Sequence, residues 1–333
     1  PLLSLENMTL GSNLPVNGTH KITGLSLALQ GVTEPCDERK LVILFDGEIG
    51  SERGLATTNV KVTQRRSLAD YTNIYTWGGW SPTDWVNPSR TDISNTEGTD
   101  LADCGSKYYM FSQSSSGSPY LVYQFDLNPV NTIIRLVYRK AFNPGLPNNG
   151  YMRMSNDGVH MILETDNVLY RYTLATPFDV TTANFSAQAF RPGYRVSGFD
   201  TNVDGTKMYI ATTSGDYIIE YSMNPAWNIT SLTPTGSAIS VIIEMGAGSI
   251  TDVKMSTSGT MMLTIGEGES SNQDKVYKYD LITAFDLSTA SYSEALTTVV
   301  FGDESRSIAG ESLEDLFMIW EFGDNFIYQY DAP

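Results

Sequence analysis

Short runs of alternating apolar and polar residues, separated by small polar turn residues, cover the chain from about residue 100 to its end. In the clearest stretch, KMYIAT (207–212) and YIIEY (217–221) each alternate with a period of two. The turn before them is Val203-Asp204-Gly205-Thr206, and Ser214-Gly215-Asp216 separates them. An Asp-Gly pair tolerates positive φ, so this pattern predicts antiparallel hairpins rather than helices. No segment sustains a helical period; SLADYTNI and SLEDLFMIW suit one or two turns each. In the first 50 residues, NMTLGSNLPVNGTHKITGLSLALQ has strand character and KLVILFDGEIG reads as a buried strand running into a turn.

The hairpin unit repeats. Leu101–Phe125, Tyr151–Tyr172, Gly198–Tyr221 and Asp252–Tyr279 share one pattern, with turn glycines at 105, 158, 205 and 259, spaced by 53, 47 and 54 residues. A worn fifth copy runs from Ile308 to Tyr330, with Glu314 roughly where the glycine would be. An aromatic-x-aromatic strand recurs at Tyr123/Phe125, Tyr170/Tyr172, Tyr277/Tyr279 and Tyr328/Tyr330, and earlier at Tyr75/Trp77. Tails such as TLATPFDVTTANF (from Thr173) and DLITAFDLSTASY (from Asp280) follow several copies and read as capped turns leading to an outer strand. Repeats of this length, each with three or four short strands, cannot bury both faces alone and predict an all-β, β-propeller-like domain of five or six blades. That domain is expected over residues 51–333, its start as late as 100, behind a small N-terminal β anchor or stalk over 1–50. The last copy ends before its tail, so an N-terminal segment is expected to supply the missing outer strand.

Charge and composition then narrow the functions. Lys and Arg number 21 against 38 Asp and Glu, a net charge of −17, which disfavours phosphate backbones and anionic membranes. No apolar run is long enough to span a bilayer, and no signal peptide is visible at the start. Cys36 and Cys104 could form one bridge or stay reduced, and with only His20 and His160 an imidazole-centred triad or His-rich metal site is nearly excluded. No nucleophile elbow, phosphate loop or dinucleotide fingerprint is present, and the chain is not expected to be an enzyme.

The residues that could carry chemistry are few. Asp200-x-Asn202-x-Asp204-Gly205 resembles the first half of a calcium loop, lacking its closing glutamate; the plainer reading is the repeat's own turn. The hairpin GEGESSNQD, with Glu267, Glu269 and Asp274, is a second acidic candidate, otherwise a solvated loop. Asp100, Arg153, Asp200 and Lys254 each lie five residues before a turn glycine, so they are expected to face a central channel, pairing, binding an ion, or simply lining a water-filled tunnel. His160 occupies the slot of Lys207 and reads as structural. Of the aromatics, most of which a propeller packs between blades, Trp80 and Trp85 in GGWSPTDW stand out as candidate ligand-binding residues.

The units DGTKMYIATTSGDYIIEYSMNPAWNIT and DKVYKYDLITAFDLSTASY resemble a propeller-type repeat common in bacteriophage and marine bacterial surface proteins, over at least residues 101–333. Taken with its length and non-repeating N-terminus, the chain resembles the vertex spikes of marine, membrane-containing icosahedral phages of the corticovirus type. The resemblance implies a virion-surface protein at capsid vertices that attaches the particle to a host-cell receptor, a glycan or outer-membrane component, through propeller loops, with calcium bound in its distal part. The alternatives are a propeller enzyme of lactonase or glycosidase type and a non-viral bacterial adhesion or lectin-like domain.

Overall fold

The structure is a computed structural model. It describes residues 72–77, 94–103, 105–113, 119–127, 136–148, 150–190, 192–241, 249–266, 274–297, 305–310, 313, 316–321 and 326–331. By internal contacts the chain divides into two compact units, Pro1–Gln64 and Arg65–Pro333. The expected anchor over 1–50, with Cys36 and His20, lies outside the described residues, as do Trp80, Trp85, Cys104, Glu267, Glu269 and Glu314.

The described strands form five four-stranded antiparallel sheets arranged as a β-propeller. The first sheet contains β2 (Ser94–Ala102), β3 (Lys107–Gln113), β4 (Tyr120–Leu127) and β5 (Leu136–Phe142). The second contains β6 (Met152–Met154), β7 (His160–Thr165), β8 (Val168–Leu174) and β9 (Ala183–Phe190). The third contains β10 (Val196–Thr201), β11 (Lys207–Thr212), β12 (Tyr217–Ser222) and β13 (Thr233–Ser240). The fourth contains β14 (Ile250–Met255), β15 (Met261–Gly266), β16 (Lys275–Leu281) and β17 (Ala290–Thr297). In the fifth, β18 (Ser305–Ala309), β19 (Leu316–Glu321) and β20 (Phe326–Asp331) are completed by β1 (Thr72–Trp77), which pairs antiparallel to β20. The aromatic-x-aromatic pair Tyr75/Trp77 therefore belongs to the outer strand of the last sheet, and the expected closure by an N-terminal strand is present.

The core explains why no sheet stands alone. Five hydrophobic clusters each join two neighbouring sheets. Sheets one and two meet at Tyr109, Phe111, Met152 and Leu163, and sheets two and three at Ile162, Leu169, Met208 and Ile210. Sheets three and four meet at Tyr209, Ala211, Val253 and Met262. Sheets four and five meet at Leu263, Ile265, Phe317 and Ile319, and sheets five and one at Met318, Trp320, Tyr108 and Tyr123. Strand β11 shows the consequence: Met208 and Ile210 face one neighbour and Tyr209 and Ala211 the other, so all four are fully buried. The alternation that predicts a half-exposed strand is here the sorting of side chains between two neighbours. Full burial of each large apolar side chain stabilises by roughly 1.5–3 kcal/mol, and that gain exists only when the adjacent sheet is in place.

Candidate functional site

The inner strands β2, β6, β10, β14 and β18 touch one another in turn around the axis. From four of them Asp100, Arg153, Asp200 and Lys254 meet there, all deeply buried. They pair rather than line a water-filled tunnel. Lys254 Nζ lies 2.8 Å from Asp100 Oδ1 and 3.5 Å from Asp200 Oδ1, and Arg153 Nε lies 3.4 Å from Asp200 Oδ1. Arg153 Nη2 also donates to both carboxylate oxygens of Asp252 at 2.8 and 2.9 Å. Burying unpaired charge is prohibitively costly, and the opposite charges that four separate sheets bring to one axis lie within ion-pair distance of one another.

Backbone amides complete the network. Asp100 Oδ2 accepts from Met154 N at 2.7 Å, Asp200 Oδ2 from Met255 N at 2.7 Å, and Asp252 Oδ2 from Ile308 N at 2.9 Å. Each bond crosses from one sheet to another. Arg153 Nη1 donates to the carbonyls of Thr99 and Met152, and Ser307 Oγ donates to Asp252 Oδ2 at 3.0 Å. Burial pushes the Asp252 carboxyl above the usual range, opposed by Arg153 and two backbone amides. Burial alone would lower the Arg153 guanidinium, but Asp252, Asp200 and Asp100 outweigh it and hold it above its ordinary value.

Asp252 is the member that the sequence pattern missed. Its slot beside the inner-strand bulge is filled by Gly98, Gly198 and Ser307 in other sheets, so no repeated charge marks it. The glycine in the third sheet is its complement: a Cβ on Gly198 would lie 2.5 Å from Asp252 Oδ1.

The calcium-like trio is divided between two tasks. Asp200 belongs to the axis. Asn202 Oδ1 accepts from Lys207 N at 2.7 Å, and Asp204 Oδ1 accepts from the Thr206 amide and hydroxyl at 3.0 and 2.6 Å. Ser155 and Ser256 hold the amides of His160 and Met261 in the same manner, so Asn202 is the third sheet's version of a turn-closing side chain. Hydrogen bonds to the Asp204 carboxylate outweigh its partial desolvation and keep its pKa below the usual range. Asp274 is buried just before β16, while Glu267 and Glu269 lie outside the described residues. Among the described residues, no group of three or more His, Cys, Asp or Glu side chains is placed to hold a metal ion.

A second set of polar residues joins the sheets farther out. In the third strand of the first three sheets, the polar residue before the last aromatic reaches the tail of the following sheet. Gln124 Oε1 accepts from Val180 N at 3.2 Å, Arg171 donates to the Trp227 carbonyl, and Glu220 Oε2 accepts from Leu287 N at 2.9 Å. Asp179, Asn228 and Asp286 cap the short 3-10 turns of those tails. A polar residue one place before the strand's last aromatic (Phe125, Tyr172, Tyr221) is the sequence signal for these contacts. His160 also serves a junction: its ring stacks on Trp227 with centroids 5.2 Å apart.

At the axis, on the face carrying the inner-hairpin turns, lies a small solvent-open depression with room for about one water molecule. Asp200 and Lys254 line it, together with Asn156, Thr201, Ser256 and Thr257.

No protein-family model matches the chain. No curated protein matches it either. Among solved structures, the chain is similar to the β-propeller domain of Cps50 (Swd1) from Myceliophteria thermophila, with 11% identity, a TM-score of 0.39, and coverage of 72% of this chain and 70% of that one. It is similar to a chain of the mitotic checkpoint complex at 9% identity and a TM-score of 0.40, covering 69% and 60%. It is also similar to Raptor from Chaetomium thermophilum at 8% identity and a TM-score of 0.41, covering 79% of this chain and 29% of that one. The fold assignment rests on this chain's own strand pairing.

Proposed function

We propose that the chain is a recognition module, the receptor-binding part of a virion spike, whose complete ring has five blades and whose residues 1–50 seat it on a capsid vertex. One observation carries the recognition part of this reading: the axial carboxylates, which in a hydrolase would serve as base or metal ligand, are consumed in holding neighbouring sheets together. Of their six oxygens, five accept a donor within 3.0 Å. The chemistry at the centre is therefore structural, and the turns and loops around it are left for binding. The spike assignment is supported by the resemblance of the repeats to phage and marine surface proteins. Calcium belongs to this reading as an ion that stiffens the acidic loops and preorganises them for a host ligand.

The test is competition. Purified chain added to host cells is expected to block adsorption of the corresponding phage in a dose-dependent manner. Unchanged adsorption at saturating protein would overturn the proposal.

A further inference from the structure

At the end of the third sheet away from its inner-hairpin turn, two tyrosines stand in solvent. Tyr194 is 46% exposed and Tyr217 is 43% exposed, and Arg195, which follows Tyr194, is exposed as well. The fold does not require an exposed ring at Tyr217, which lies three residues before Glu220. The matching places before Gln124 and Arg171 hold Leu121 and Val168, both buried.

The three residues are held at one place. Val196, Thr212 and Tyr217 stand opposite one another across β10, β11 and β12, so their side chains leave the sheet on one face. That face meets the second sheet, where Val196 and Tyr221 pack. Tyr194 reaches the same junction: burial, and after it the Tyr194 phenol, push the Tyr221 hydroxyl up. The Arg195 carbonyl accepts from Thr213 N at 3.2 Å, and the Val196 amide donates to Asn167 Oδ1 at 2.8 Å. The segment bearing Tyr194 and Arg195 is thereby fixed to two sheets. The Tyr217 ring lies against Gly215, where a Cβ would meet its Cε2 at 2.8 Å. Groups ordered beforehand lose little freedom on binding.

Size and charge then select the ligand class. Two strand spacings, roughly 10 Å, separate Val196 from Tyr217, a width that suits two linked sugar rings. Two tyrosines and an arginine fall well short of the roughly 800 Å² per partner of a stable protein interface. Arg195 makes no ion pair among the described residues. The carboxylates of the neighbouring turns are engaged: Asp216 is buried and accepts from Ile250 N at 3.2 Å, and Asp166 accepts from Asn148 with both oxygens. In a chain of net charge −17, this guanidinium is a local site for an anion. Its planar fork matches a carboxylate through two parallel hydrogen bonds, while each tyrosine presents an apolar ring and a polar tip. We infer that Tyr194, Arg195 and Tyr217 bind an acidic saccharide through a uronic acid residue. The source of that saccharide, a host surface glycan, rests on the receptor-binding reading.

The experiment is saturation-transfer NMR on the full chain with digalacturonate and dimannuronate, and with the neutral disaccharides cellobiose and maltose. Transfer to the ring protons of at least one uronate is expected, with the neutral disaccharides bound at least about tenfold more weakly. Affinity for the uronate should fall about tenfold in Arg195→Gln and in Tyr217→Ala, and be partly kept in Arg195→Lys. The substituted side chains are exposed, so thermal melts should match the wild type. Absence of transfer from both uronates, equal transfer from the neutral disaccharides, or unchanged uronate affinity in folded Arg195→Gln or Tyr217→Ala would overturn the inference. The same proteins added to host cells separate the two proposals. Wild-type protein that blocks adsorption without binding either uronate leaves the attachment reading standing and removes this one; uronate binding without any block of adsorption does the reverse.

Discussion

The indole of Trp227 occupies the space over Gly205 so closely that a Cβ on that glycine would lie 2.1 Å from Cε2, and the Trp227 amide donates to the Gly205 carbonyl at 2.8 Å. Phe178 meets Gly158 and Phe285 meets Gly259 in the same way, with amide bonds of 2.9 and 2.8 Å. All three aromatic residues adopt positive φ, near 60°. In the second, third and fourth sheets the tail is thus locked onto the turn of its own inner hairpin, and the preceding sheet also bonds to the tail.

Gly205→Ala is expected to destabilise the protein by about 2–4 kcal/mol, the sum of strain at φ +67 and displacement of the indole. Gly236 is the control. Its φ is +91, but nothing lies within 4 Å of the point a methyl group there would occupy, so Gly236→Ala should lose only about 1 kcal/mol. Urea unfolding of the two variants checks the difference, and equal losses would show that the indole contact contributes nothing.

Breaking the axial network on one side should be severe. Arg153→Met leaves Asp252 buried without its partner, and a loss of about 3–5 kcal/mol is expected. Asp252→Asn keeps an oxygen for the Ile308 amide and should lose less. The double variant should recover about 1–3 kcal/mol relative to the sum of the singles. Because the pair is shielded from solvent, raising salt from about 0.05 to about 0.5 M should change these differences little. Additive losses in denaturant unfolding would show that the two groups are energetically independent.

The parts of this fold that are legible in the sequence are those that every sheet must repeat. Each inner turn needs positive φ, so Gly105, Gly158, Gly205 and Gly259 stand out, and each has φ between 67° and 73°. The spacing from those glycines also locates four axial charges. Asp252 is hidden because its counterparts are Gly98, Gly198 and Ser307; its role follows from Arg153 on another sheet, a long-range relationship that no local pattern encodes. The motif at Tyr75/Trp77 looks like the third strand of an additional copy, whereas its segment pairs with β20 as an outer strand. Local alternation specifies a strand but not its neighbour. The Asp200-Asn202-Asp204 spacing resembles a cation loop because turn closure and calcium ligation call for the same side-chain oxygens.

Acid should weaken the junction between the second and third sheets. Burial pushes the His160 imidazole below its ordinary pKa; Asp157 opposes this and Arg171 adds to it. The folded protein therefore favours neutral imidazole, while the unfolded chain takes up the proton near pH 6.5. Stability from this residue is complete above that pH and falls as the pH drops through 6.5 toward the lower folded value. Melting temperature measured from about pH 8 to about pH 5 should fall more steeply in the wild type than in His160→Gln. Parallel curves would assign the acid sensitivity to other groups.

Closure by β1 makes the last sheet depend on a strand from the start of the wheel. Its register runs from Thr72 opposite Asp331 to Trp77 opposite Ile327, with a bulge between Asn73 and Tyr75. A chain beginning at Gly78 would expose β20 as an unpaired edge, which favours aggregation and leaves only three strands in that sheet. Compared with a chain beginning at Arg65, it should melt at least about 5 °C lower, in line with a loss of a few kcal/mol in a domain of this size. Amides of β19 and β20 should also exchange faster. A synthetic peptide of residues 70–79 should restore part of the lost melting temperature, but only at high concentration, because tethering had supplied an effective concentration in the millimolar range. The same peptide with proline at Thr76 should restore less, since proline cannot donate to the ladder and its ring disturbs the pairing opposite Tyr328. Equal stability of the two truncated chains would mean that the ring holds without its closing strand.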